Sequence, residues 1–207
     1  MTTSTDTLLT ELAALGAATV YEANGQRDAL DPALKPLDPT SRIAGRAVTV
    51  DLEPGDNWFI HVAMLETRPG DILVVDAKGY TQAGPWGDVL TLAAQQRGLA
   101  GLVIDGAVRD SQEIIESGFP VFTRGVCIRK TTKVQRGRVN VPITVGGVLI
   151  RPGDILVGDA DGLVRVEEQD AANAVSSSSQ RAQKENRMRE EILAGASTLD
   201  LLGLPRP

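Results

Sequence analysis

Two short, continuous apolar runs constrain this chain more than any other feature: ILVVD at 72–76 and LVID at 102–105. Neither alternates as a strand with one wet face does, so both predict strands buried on both faces. Each run is followed by a glycine-containing stretch and then a helical pattern. Residues 87–97 follow the first, and Asp110 to Ser117 follow the second, closed by Gly118 and Pro120. Strands covered on both faces need layers above and below, which predicts a layered α/β domain. The rest of the chain fits one such domain over residues 1–207. A helix is expected over 7–24 from Leu8, Leu12, Leu15 and Val20, and a loop over the Asp- and Pro-rich stretch 27–42. RAVTVDL at 46–52 alternates as a strand, and Asn57 caps a helix running to about Glu66. Several short β-type runs fall within 121–167, and a long charged helix spans about 169–193. No regular series of crossover helices is evident, which speaks against a simple doubly wound Rossmann fold. GPWG at 84–87 is not a dinucleotide fingerprint, and no Walker A sequence occurs.

The chain carries an internal echo. RPGDILVVDAKG (68–79) and RPGDILVGDADG (151–162) agree at ten of twelve positions. Pro-Gly-Asp makes a turn and Ile-Leu-Val a buried strand, so the echo reads as two similar turn–strand units in one sheet system.

Composition narrows the function. Lys and Arg number 21 against 27 Asp and Glu, a net charge of -6, and aromatic residues make up 3%. Polyanion binding and base stacking call for the opposite balance, so nucleic acid is not an expected partner. One Cys and one His exclude a disulfide framework, a Cys-rich zinc site and a multi-histidine metal site. A metal here would be held by carboxylates, which suits Mg²⁺ or Mn²⁺. The first residues show no basic secretory n-region, and no apolar run reaches the roughly 20 residues of a membrane span. A cytoplasmic location without membrane contact is the expectation.

The chemistry is expected where glycine-rich turns open helices. In QAGPWGDVLTLAA (82–94), glycines let the backbone approach a ligand, and the first helical amides lack partners, a geometry for carboxylate or phosphate. Asp88 in the first turn also serves the helix dipole. In VIDGAVRDSQE (103–113), Asp110 and Glu113 fit a capping box, and Arg109 is either a surface ion-pair partner or a bidentate anion grip. Together, Asp88, Arg109 and Asp110 lie beyond the ends of neighbouring apolar strands, where α/β sheets place ligands. His61 reads as a partly buried structural histidine or an active-site base, Cys127 as a small core residue, Trp86 as a pocket wall and Trp58 as packing.

The stretch from Gly84 to Asp110 resembles the regulator-of-ribonuclease-activity-A-like family. It is most similar to the metal-dependent pyruvate aldolases that cleave 4-hydroxy-4-methyl-2-oxoglutarate and 4-carboxy-4-hydroxy-2-oxoadipate. That branch carries an Asp, twenty residues, then Arg-Asp, matched here by Asp88, Arg109 and Asp110. The likeness extends from ATVYEANG (residues 18–25) into the C-terminal helix. It implies an α-β-β-α, swivelling-domain-like fold, assembled as a homotrimer or a dimer of trimers, with the helix at 169–193 against a neighbouring subunit. It also implies roles. Asp110 would be the direct protein ligand to Mg²⁺ or another divalent cation, and Asp88 would hold metal-bound water. Arg109 would bind the pyruvyl carboxylate or keto oxygen and stabilise the enolate. The amides near Gly87, Val89 and Leu90 would take the substrate carboxylate, and Glu22 and Glu185 would bind waters around the metal across a subunit boundary. Oxaloacetate decarboxylation is the side activity this chemistry implies, because it passes through the same enolate. The rival expectation is a non-catalytic protein-binding regulator of ribonuclease activity.

Overall fold

The computed structural model describes residues 5–206. Two helices open it, α1 (Thr5–Leu15) and α2 (Ala17–Ala23). The single helix expected over 7–24 is broken at Gly16, whose φ of 83° is left-handed. The break has a tertiary cause: the Ala17 N–H donates to Asp159 Oδ2 at 2.8 Å, a cap supplied from 142 residues away.

After a two-residue edge strand, β1 (Lys35–Pro36), strands and helices alternate. They are β2 (Ile43–Asp51), α3 (Trp58–Ala63), β3 (Ile72–Tyr80), α4 (Asp88–Gln96), β4 (Gly101–Val108), α5 (Ser111–Ser117) and β5 (Val121–Val126). β2, β3, β4 and β5 lie side by side in chain order and run parallel. This corrects the expectation that crossover helices are not regular: a helix joins each of β2, β3 and β4 to the next parallel strand. The helices expected after Asn57 and from Asp110 to Ser117 are present as α3 and α5, but at six and seven residues they do not read as a regular crossover series in the sequence. The strand order never reverses, so the sheet is still not a doubly wound Rossmann sheet.

The remaining strands are β6 (Arg138–Val139), the hairpin β7 (Ile143–Val145) and β8 (Val148–Ile150), then β9 (Ile155–Gly158) and β10 (Leu163–Val166). β2 is shared. Its first half pairs antiparallel with β9, and its second half pairs parallel with β3. The chain ends in α6 (Ala171–Leu193) and α7 (Thr198–Leu201).

Three buried clusters lie between four layers. Ile60, Leu90 and Ile114 of α3–α5 pack on Val50, Val75 and Ile104 of the parallel strands. Ile72, Val74, Val103 and Phe122 face Leu156, Leu163 and the hairpin's Ile143 and Ile150. Leu12, Val20 and Val175 of α1, α2 and α6 cover Val157, Val164 and Val166. The result is the helix–sheet–sheet–helix sandwich that the resemblance implied. α6 buries only Ala171, Ala174, Val175 and Ser178, all in its first half, which leaves the second half uncovered within this chain. Among the described residues no helix is long and apolar enough to cross a membrane.

The echo proves to be one turn used twice. Arg68 N–H donates to Asp71 Oδ2 and Arg151 N–H to Asp154 Oδ2, both at 2.8 Å. Each turn launches a strand, β3 and β9, and both strands border β2.

Candidate active site

The parallel strands β3 and β4 bring two loops together at their C-terminal ends. The segment Gly84–Gly87 runs beside the end of β4, where Arg109 N–H donates to Trp86 O at 2.9 Å. The contact is close because the glycines have no side chain. A Cβ on Gly84 would meet Cys127 O and sit 2.9 Å from Arg109 Cβ, and one on Gly87 would collide with the Asp110 carboxylate. Trp86 fixes this loop to α4. It is fully buried, donates from Nε1 to Thr91 Oγ1 at 2.8 Å and stacks on Phe119. Trp86 is therefore an anchor inside the protein, not the pocket wall the sequence suggested.

Asp110 closes the arrangement from the other side. It is left-handed, with φ 55° and ψ 43°, an uncommon state for a residue with a Cβ. The predicted capping box with Glu113 does not form, since the Asp110 side chain makes no cap bond to α5. Its Oδ2 instead accepts the Asp88 N–H of α4 at 3.2 Å and lies 3.3 Å from Arg109 Nε. The Asp88 carboxylate accepts the Val89 N–H at 2.7 Å. Two of the helix-opening amides expected to receive a substrate carboxylate are thus held here by the chain's own carboxylates.

Asp88 and Arg109 edge a cavity of about 340 Å³ that Gly84, Gly87, Val89 and Leu90 also line. A second group, Asn57, His61, Lys130, Thr131 and Lys133, belongs to the same lining. Sequence reasoning missed this second group apart from His61. Its signal is the basic stretch RKTTK at 129–133, which reaches the site through buried Asp56. Asp56 Oδ2 accepts from Thr132 Oγ1 at 2.6 Å, Val134 N–H at 2.7 Å and Gln135 N–H at 3.1 Å, while Oδ1 accepts the Trp58 N–H at 2.7 Å. Burial alone would raise its pKa, but these donors outweigh it and bring the carboxyl down to about 2. On the far side, Gly84 N–H donates to Arg129 O at 2.9 Å, which ties the basic loop to the glycine segment.

His61 is exposed at this cavity and not the partly buried structural residue first expected. Desolvation by its surroundings and the nearby Lys133 charge hold its imidazole below the usual pKa, so it is neutral at pH 7. Cys127 is half-buried, outside the core, and Trp58 is 39% exposed with an edge contact to Phe59.

Glu22 and Glu185 are not at this cavity within the chain. They lie on α2 and α6 and share one cation, since Arg181 pairs with Glu22 and, at 3.1 Å, with Glu185. Among the described residues no three Asp, Glu, His or Cys side chains gather as a closed metal cage. Asp110 and Asp88 offer carboxylate oxygens at an open edge, a donor set that suits a hard cation completing its shell with water and a chelating ligand.

The profile of the RraA-like family, described as Aldolase/RraA, matches residues 13–165. The chain belongs to this family. A relative from Halalkalibacterium halodurans, named "Putative 4-hydroxy-4-methyl-2-oxoglutarate aldolase", is 39% identical over 165 residues, covering 80% of this chain and 78% of its own. Among solved structures, a Pseudomonas syringae pv. tomato protein superposes on this RraA-like chain with a TM-score of 0.84 at 30% identity, covering 95% of this chain and 92% of its own. The RNA-processing inhibitor RraA from Thermus thermophilis superposes with a TM-score of 0.67 at 31% identity, covering 72% of this chain and 91% of its own. The RraA-like match includes Asp88, Arg109 and Asp110 and stops before α6.

Proposed function

We propose that this RraA-like protein is a divalent-metal-dependent pyruvate aldolase. Its substrates are 4-hydroxy-2-oxo acids of the 4-hydroxy-4-methyl-2-oxoglutarate type, and oxaloacetate decarboxylation is its side reaction. One observation carries the reading: Asp88 and Arg109 line a single cavity, and the Asp110 carboxylate lies against both of them. The name of the Halalkalibacterium relative supports it.

In retro-aldol cleavage the C4 hydroxyl gives its proton to a water or hydroxide and becomes a carbonyl. The C3–C4 bond breaks, and the electron pair of that bond is left on a pyruvate enolate, which takes a proton from water at C3 to give pyruvate. Asp110 would hold Mg²⁺ or a similar cation, with Asp88 orienting water beside it, and the cation would supply Lewis acidity for the developing enolate. Arg109 adds a fixed planar cation for the pyruvyl carboxylate or keto oxygen, worth most as negative charge grows there. The first turn of α4 borders the cavity, and a substrate carboxylate bound there would take the place of the Asp110 or Asp88 carboxylate on its amides. The fully buried Trp86 keeps that turn in place. No lysine nucleophile is required. Lys78, for example, is clamped between Asp51 and Asp76, which keeps its ammonium charged.

The test is pyruvate release from 4-hydroxy-4-methyl-2-oxoglutarate and from oxaloacetate. Both reactions are expected to stop in EDTA and return with Mg²⁺. Turnover that persists in EDTA sinks the metal-dependent reading. The likeness to the Thermus inhibitor supports a second reading, a protein-binding regulator whose acidic surface engages a basic RNA-processing enzyme. That reading predicts no pyruvate under any metal condition, with ribonuclease inhibition that survives loss of Asp88.

A further inference from the structure

The protein carries a net charge of -6, yet this cavity collects Arg109, Lys130 and Lys133 against the single lining carboxylate of Asp88. Arg109 is already paired with Asp110. Lys130 and Lys133 make no salt bridge among the described residues, and both are exposed where they line the cavity. Their positions are fixed rather than left to a free loop. Thr132 lies between them, and its hydroxyl is bound to Asp56. Its N–H donates to Gly55 O at 2.9 Å, and its carbonyl accepts the Asn57 N–H at 3.1 Å. A pair of cations held on a pinned loop, lining the same cavity of about 340 Å³ as a separate arginine, suits an anion that carries more than one charge.

We infer that Lys130 and Lys133 form a second carboxylate subsite, which takes the carboxylate beyond C4 and selects 2-oxo acids with two or more carboxylates over those with one. This rests on the aldolase reading for the orientation of the substrate, with the 2-oxo acid end at Arg109. The selectivity itself is a property of the cavity walls and can be read without turnover. A carboxylate at the far end gains charge-assisted hydrogen bonds from one or both ammonium groups, whereas an alkyl end gains none and leaves both lysines to water. The relevant substrates are therefore those whose C4 substituent ends in a carboxylate.

The experiment uses two unreactive probes in the presence of Mg²⁺: 2-oxoglutarate, with a carboxylate at each end, and 2-oxobutyrate, with one. Titration calorimetry on the full chain is expected to show 2-oxoglutarate bound about tenfold more tightly, the gain one added charged contact gives. In the Lys130→Ala/Lys133→Ala double variant that preference is expected to fall to within about twofold, while 2-oxobutyrate binding changes less than about threefold. Lys130→Arg/Lys133→Arg, which keeps both charges, is expected to retain the preference. A preference that survives the double alanine change overturns the subsite. So does equal weakening of both probes, which would mean a general field or a damaged cavity. Pyruvate release is the separate readout for the reaction. A protein that sorts the probes but yields no pyruvate keeps the subsite and loses the aldolase; one that yields pyruvate without sorting them does the reverse.

Discussion

The Asp110 carboxylate reaches across to the backbone N–H of Asp88, 22 positions earlier, at 3.2 Å. It bridges the start of α4 to the start of α5 and turns away from the helix it precedes. The two acids of the Asp–x20–Arg–Asp pattern are joined by this bond, side chain to main chain. The spacing thus reflects the length of α4, the turn after it and β4, which together bring the chain back to the same cavity edge.

Asp110 consequently contributes little to α5 as a cap, and its backbone suits an asparagine. Asp110→Asn is expected to keep the left-handed turn, since Asn tolerates that conformation. It should melt within a few degrees of the parent and lose turnover by more than about a hundredfold, or 2.7 kcal/mol. Thermal melting beside a pyruvate-release assay checks both halves. Near-parental kcat at saturating Mg²⁺ would remove Asp110 from the metal site.

Arg109→Lys keeps the positive charge but loses the planar fork. A drop in kcat/KM of about a hundredfold is expected, with the fold retained because the Arg109 side chain is 42% exposed and its single carboxylate partner among the described residues is Asp110. Unchanged kinetics would return Arg109 to the role of a surface ion-pair residue.

Asp88→Asn separates the enzyme from the regulator. The Val89 N–H can still find an acceptor in the Asn oxygen, so stability should fall by less than about 1 kcal/mol. Aldol cleavage and oxaloacetate decarboxylation should fall together, by roughly 10- to 100-fold, as groups that orient metal-linked water typically cost when lost. A fall in the aldol reaction alone would place Asp88 at the C4 hydroxyl proton. Loss of neither favours the regulator.

Asp56 gives the pH dependence. Its folded-state pKa of about 2 lies below the usual 3.8, so its contribution is fully present above about pH 4 and is lost as pH falls towards 2. The shift corresponds to about 2 kcal/mol. Asp56→Asn should cost at least that at pH 7 and flatten the stability curve between pH 4 and 2. Denaturant unfolding at several pH values measures it. Equal slopes in parent and variant would dismiss Asp56 as the support of the basic loop.

What the sequence revealed and what it hid have physical reasons. β3 and β4 were legible because burial on both faces leaves an unbroken apolar run. Asp88, Arg109 and Asp110 were legible because strand, turn and helix follow one another locally. The break at Gly16 was not, since Leu8, Leu12, Leu15 and Val20 keep their helical spacing through it and the capping oxygen belongs to Asp159. The lysine wall was hidden for the same kind of reason: residues 129–133 join the site through Asp56 and Gly84, partners more than 40 positions away. The capping box failed because Asp110 had a competing donor, the Asp88 N–H, that lies outside its own helix.

The protein also contains its own optical probe. It has two tryptophans. Trp58 is 39% exposed and emits as a wet indole, whereas Trp86 is sealed against Phe119 and bonded to Thr91. A sealed indole emits at shorter wavelength and is out of reach of aqueous quenchers. Because Trp86 sits one residue before the turn that opens α4, the blue component of the emission follows the seating of the Gly84–Gly87 loop without any attached dye. A cation or a 2-oxo acid that shifts the loop would alter the colour of the light before any product is formed.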